Sequence, residues 1–202
     1  MIPVWKERRR SVSVTIKIKY NAPVVLSFSL IALLVLILSS VTDAGLTSLL
    51  FCVYRAPLTD PLFYVRLFTH VLGHGSWAHY FSNIMYILLL GPMLEEKYGS
   101  RPLLFGILLT AFVTAVAHLL LNGSAALLGA SGVVFMMILL ASFASFRHGT
   151  IPLTFLLIAG IYIGNEIITG IFTTDNISQL SHIIGGACGA FLGVFLNRGK
   201  KR

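Results

Sequence analysis

The sequence predicts an all-α, polytopic membrane protein, a bundle of six spanning helices, and three observations carry that reading. The composition is 56% hydrophobic and only 11% charged over 202 residues, whereas a soluble domain has about a quarter of its residues charged. Apolar runs of spanning length follow one another almost end to end, and no soluble-looking linker divides them. The basic residues also sort to one side when the runs are threaded through a bilayer.

A helix needs about 20 largely apolar residues to cross. On that criterion the spans fall at 22–42, 77–94, 102–121, 128–146, 151–169 and 180–197. They are separated by Asp43, by Glu95-Glu96-Lys97, by Asn122-Gly123-Ser124, by Arg147-His148-Gly149 and by Thr173-Thr174-Asp175. The first run is too long for a signal-peptide core and has no small-x-small cleavage site, so it reads as an uncleaved anchor. The organisation expected is a basic N-terminal segment at 1–21, a membrane domain at 22–197 and a basic tail at 198–202.

With the N-terminus placed in the cytoplasm, 13 of the 15 Lys and Arg residues lie inside and only Arg55 and Arg66 outside. Both termini are then cytoplasmic, the expected location is the cell (inner) membrane, and the lipid bilayer is the first partner. The net charge of +8 does not call for nucleic acid. It is concentrated in Lys6–Lys19 and Arg198–Arg202, beside apolar runs, as in proteins anchored at an anionic leaflet. Cys52 and Cys188 are too few and too far apart for a disulfide framework or a zinc site, and both read as packing residues. The stretch 43–69 is long for a loop and oddly apolar, so short helices lying in the outer interface are expected there.

Polar groups within spans are costly in lipid and mark functional candidates. Three sets stand out: His74, His79 and Asn83 at the second span, Ser131 in Gly129-Ala130-Ser131-Gly132, and His182 at the sixth span. Ser131 and His182 each lie 16 residues before a basic span end, Arg147 and Arg198, or roughly 24 Å along a helix. Asn83 and His79 lie 14 and 18 residues before Lys97, roughly 21 and 27 Å. All four therefore fall in one layer. Gly185, Gly189 and Gly193 form a small-residue stripe that lets another helix approach, and Gly129 and Gly132 flank the serine. A serine and a histidine on closely packed helices have the geometry of a nucleophile with its general base. His79 and Asn83, four apart on one helix face, are donors suited to an oxyanion.

Each piece has a plainer reading. Gly-x-Ser-Gly alone is a packing device in most membrane helices. His118 reads as a buried hydrogen-bonding residue, Glu166 and Asp175 as loop-edge charges, and His70 as an interfacial residue. The conjunction of nucleophile, base and donors at one depth favours catalysis.

These motifs resemble the rhomboid intramembrane proteases from about Arg66 to Gly193. They are His70-(x3)-His74-(x4)-His79-(x3)-Asn83 with Gly91 and Glu95-Glu96-Lys97-Tyr98-Gly99, then Gly129-Ala130-Ser131-Gly132, then His182-x-x-Gly185-x-x-x-Gly189. The resemblance implies a six-helix, rhomboid-like bundle of the basic bacterial form with an interfacial first outer loop. It implies a serine endopeptidase in which Ser131 is the nucleophile and His182 the base, with no acidic third member. His79, Asn83 and the Ser131 amide would hold the oxyanion. His74, Glu95, Gly129, Gly132, Phe135, Gly185 and Gly189 would support the site, Glu95 by bracing the cytoplasmic end. Transmembrane proteins would be the substrates, with small residues before the cut and helix-breaking residues beyond it, and neither metal nor organic cofactor is implied. The chain has Val65-Arg66 where many members have Trp-Arg, and Phe135 where a Tyr is frequent. Two other classes stay open at this stage: an inactive rhomboid-like protein that binds membrane clients, and a transporter.

Overall fold

Long apolar segments punctuated by caps and glycines give a helical chain, and the computed structural model is all-helical. It describes residues 19–121, 125–144 and 176–198, together with 153, 156, 157, 160, 161 and 164. Among the described residues there are seven α-helices: α1 Pro23–Val41, α2 Gly45–Leu50, α3 Pro61–Thr69, α4 Trp77–Tyr98, α5 Ser100–Leu121, α6 Ser131–Ala144 and α7 Asn176–Arg198. A 3₁₀ turn, His70–Leu72, follows α3. The stretches expected as spans one, two, three, four and six are thus helical. The fifth, with Glu166, lies outside the described residues except for the six single positions named, which are helical. Asp175, the basic residues before Lys19 and those after Arg198 also lie outside them.

Among the described residues, three helical stretches are long and apolar enough to cross a membrane, Pro23–Val41, Ser100–Leu121 and Gln179–Asn197. The exposed side of α1 settles what solvent it meets. Leu30, Leu34 and Val41 are 57%, 54% and 79% exposed, which in water would be an unpaid cost along the whole helix and in lipid is none. Its other side, Val25, Phe28, Ala32 and Leu36, joins the central core with Ile87, Leu94, Met136 and Leu192.

Local chemistry sets the element boundaries. Asp60 caps α3 by accepting from the Leu62 amide at 2.9 Å, with Pro61 in the first helical position. Ser76 caps α4 by accepting from the His79 amide at 3.1 Å. Gly99, at φ +94°, is the single residue joining α4 to α5. The expected outer segment contains the short helices α2 and α3. Arg66, predicted only as an outer-loop charge, is 1% exposed. Its guanidinium pairs with Asp60 at 2.6 Å, donates to the Leu49 carbonyl and lies 4.5 Å over the Tyr54 ring. Arg66 thus organises the segment while Val65 beside it is exposed, and its hydrogen bond holds the Asp60 carboxyl below the ordinary carboxylate range.

Glu95 lies between the starts of two helices. Its two oxygens accept from the Val24 and Val25 amides, each at 3.0 Å, and from the Ser100 hydroxyl at 2.7 Å. First-turn amides have no carbonyl within their own helix, so a carboxylate from α4 satisfies two such amides of α1 and also accepts from the hydroxyl of Ser100, the first residue of α5. Gly91 completes this contact, because a Cβ there would sit 2.5 Å from the Val25 Cγ2.

Candidate active site

Helix α6 begins at Ser131 itself, three residues later than the sequence predicts, because 125–130 is held in non-helical form. Three bonds hold it. His118 Nε2 donates to the Ala125 carbonyl at 2.9 Å. Leu127 makes a two-bond antiparallel bridge with Val53, 2.9 Å each way. The Gly129 amide donates to the His70 carbonyl at 2.9 Å. His70 is correspondingly buried, at 1% exposure, and is not the interfacial residue expected. His118 is the buried hydrogen-bonding residue expected, and its partner is the chain leading to the serine.

Gly129 then turns the chain into α6 at φ +118°, a conformation side chains avoid. A Cβ there would lie 2.7 Å from both Cε1 and Nε2 of His79. The turn therefore requires glycine twice, once for its backbone and once so that His79 can lie against it. The first-turn amides of α6, beginning with that of Ser131, have no helical carbonyl to donate to and carry the positive end of the helix dipole.

His182 reaches the same place through the contact of α6 with α7. A Cβ at Gly185 would run into the Gly132 carbonyl, with the Gly132 carbon and Cα at 2.8 and 2.9 Å. One turn on, Gly189 stands in the same relation to Met136, and further along Gly193 meets the Phe143 side chain. The pairs advance together along both helices, so α6 and α7 run in the same direction with backbone on backbone. Ser131 and His182 sit at corresponding ends of this contact. The Phe135 ring packs on His182 at 4.4 Å between centroids, tilted by 42°, so the ring retained at this position touches the histidine.

Ser131, His182, His79, Asn83 and Phe135 line one cavity of about 630 Å³, with Ser82, Tyr86, Val134 and Ile138 on its walls. Residues far apart in sequence are thereby brought together as the depth arithmetic predicts. Asn83 is buried and donates one amide hydrogen to the His79 carbonyl at 3.1 Å, which leaves its second for the cavity. His74 lies behind His79, ring centroids 5.0 Å apart, with its Nδ1 toward the Leu72 carbonyl. Burial first, and His79 second, hold His74 neutral with a pKa lowered to about 4. Glu95 is not part of this cavity.

One feature of the site had no signal in the residues. Leu127 spends both backbone groups on Val53, so in an extended segment the groups of Ala126 and Leu128 point to the opposite edge. Ala126, Leu127 and Leu128 all line the cavity. Among the described residues no cluster of three or more His, Cys, Asp or Glu has metal-binding geometry.

Comparison with known proteins agrees with the fold and the motifs. Residues 62–199 match the Rhomboid domain. The curated relatives include Rhomboid-like protein 15 of Arabidopsis thaliana, 29% identical over 135 residues, a match covering 59% of this chain and 34% of the relative. The chain thus spans about a third of the length of that relative. A polytopic helical membrane protein with these motifs is of the rhomboid class, and the chain belongs to the rhomboid family.

Proposed function

We infer that the protein is an intramembrane serine endopeptidase that cuts transmembrane substrates near the outer face of the cell membrane. On this reading it is a six-span bundle with both termini cytoplasmic, and the active unit is the dyad of Ser131 and His182. The observation that carries the reading is the single cavity lined by Ser131, His182, His79 and Asn83.

The chemistry follows from those positions. His182, oriented by Phe135, takes the Ser131 Oγ proton as the oxygen attacks a peptide carbonyl. The developing oxyanion meets the Ser131 amide at the start of α6, the free amide hydrogen of Asn83 and the His79 ring. His182 then gives its proton to the departing amine. Water activated by the same histidine releases the acyl group and regenerates Ser131. Before any of this the substrate must unwind, because a helical peptide bond offers its carbonyl to its own helix. The open edge at Ala126 and Leu128 supports an extended substrate strand pairing there, which returns hydrogen bonds lost on unwinding.

The test is labelling of the purified protein by a fluorophosphonate, which reacts with activated serines. Wild type labels, while Ser131→Ala and His182→Ala, equally folded, do not. Absence of labelling in folded wild type would refute the protease reading and leave a client-binding rhomboid protein in its place.

A further inference from the structure

A second cavity, of about 480 Å³, lies away from the active site between α1, α5 and the α3–3₁₀ segment. It exists because α1 is drawn onto α4 through Gly91 and Glu95, while α3 rests on α5 through the stacked rings of Phe68 and Phe112, 5.7 Å apart. Between them a groove is left open to the side. Its polarity is graded. The hydroxyl-bearing residues Ser27 and Ser100 lie at one end with the start of α1, and the rest is apolar, including Ile31, Phe68, Leu72 and Leu108.

Charge is distributed the same way. Lys19, four residues before α1, and Arg101, next to Ser100, are both exposed, and each adjoins in sequence a segment that lines the groove without lining it itself. Of the other charges there, Glu95 accepts from the Val24 and Val25 amides and the Ser100 hydroxyl, and the Lys97 ammonium donates a hydrogen bond to the Ala144 carbonyl on α6. Glu96 is exposed. An apolar slot of ligand-binding size, bordered at one end by the Ser27–Tyr20 and Ser100–Glu95 hydrogen bonds and followed there by the exposed Lys19 and Arg101, has the amphipathic profile of one lipid.

We propose that this groove is a binding site for an anionic phospholipid of the leaflet that faces Lys19 and Arg101, with an acyl chain in the slot and the phosphate at the two cations. The site is independent of the proteolytic reading, and its test involves no cleavage.

The delipidated full-length protein in a non-ionic detergent is offered equal amounts of dioleoylphosphatidylglycerol and dioleoylphosphatidylcholine, and native mass spectrometry counts the retained adducts. Wild type retains one phosphatidylglycerol in preference. Lys19→Gln and Arg101→Gln each reduce that preference about fivefold, the effect of one basic residue near an anionic headgroup. Leu104→Trp and Ile31→Trp, which fill the groove from opposite walls, lose the adduct while circular dichroism shows unchanged helicity. Phe105→Trp, on an exposed face outside the groove, keeps it. Equal retention of the two lipids by wild type, no adduct at all, or an undiminished adduct in both groove-filling variants overturns the proposal. The two obstructions sit on different helices, so misfolding of one leaves the other to decide.

Discussion

Replacing Gly185 by alanine tests whether the α6–α7 contact sets the distance between serine and histidine. Two effects oppose each other. Alanine is favoured over glycine inside a helix by about 1 kcal/mol, so if Gly185 were only a weak helix residue the variant would gain stability. Against this, the new Cβ meets the Gly132 oxygen, carbon and Cα, the last two at 2.8 and 2.9 Å. All three atoms are backbone, so no rotamer relieves the overlap and the helices must part by on the order of 1 Å to restore ordinary contact. Overpacking of this kind costs about 1–3 kcal/mol, which the propensity gain offsets in part. The expected net loss is therefore about 0–2 kcal/mol, visible as a modest fall in the thermal midpoint. Activity should suffer far more, since a misplacement of about 1 Å between reacting groups costs on the order of 100-fold. The assay is the rate of fluorophosphonate labelling and of reporter cleavage in detergent, with thermal unfolding recorded on the same preparation. Gly193→Ala is the control. The atoms nearest its Cβ belong to the Phe143 side chain, at 2.5–2.9 Å, and it lies roughly 16 Å along α7 from His182, so it should lose stability with little loss of rate. Wild-type labelling by Gly185→Ala, or equal inactivation by Gly193→Ala, would refute the reasoning.

Three further outcomes are expected. Asn83→Ala should lower kcat by about 100-fold or more through loss of an oxyanion donor, with serine labelling slowed but still detectable; an unchanged kcat would remove Asn83 from the mechanism. Glu95→Ala strips three donors of a charged acceptor and should cost about 2–3 kcal/mol, while Glu95→Gln, which keeps one oxygen, should cost less. Both should still label at Ser131 at low temperature, and loss of labelling in folded protein would tie Glu95 to the site itself. Stability should also fall on acidification. His70 and His74 are buried and neutral, each with a pKa lowered from 6.5 to about 4, so between those values the unfolded chain binds protons that the folded one refuses. The loss begins as pH drops below about 6.5 and reaches on the order of 2 kcal/mol per histidine by about pH 5. A thermal midpoint equal at pH 7 and pH 5 would contradict it.

Much of this was readable from the residues, because lipid simplifies the code. Apolar run length marks helices, and a polar residue inside a run declares itself, so Ser131, His182, His79 and Asn83 could be selected and set at one depth by counting alone. What counting missed depends on backbone pairing and on partners without a pattern. The Val53–Leu127 bridge is one residue pair, too short for any alternation, yet it holds the chain ahead of Ser131 in non-helical form and places Ala126 and Leu128 on either side of the paired residue. The left-handed turn at Gly129 was legible only as a small residue. The burial of His70 and Arg66 is hidden for the same reason: a polar residue in an outer segment looks surface-bound until its burial partners, Thr114 for one and Asp60 with Tyr54 for the other, are known.

The carboxylate that receives the first amides of α1 also bears on how the chain is made. Val24 and Val25 leave the ribosome 71 and 70 residues ahead of Glu95. For that interval the start of α1 has only water and headgroups to satisfy it, and the helix enters the bilayer as a lone anchor. Emergence of α4 changes the situation: Glu95 collects α1 from behind and, through Ser100, α5 from ahead. The bond that holds the first helix in place can therefore form only after the second long helix has been made, so removal of Glu95 should slow the gathering of the helices as well as weaken the finished bundle.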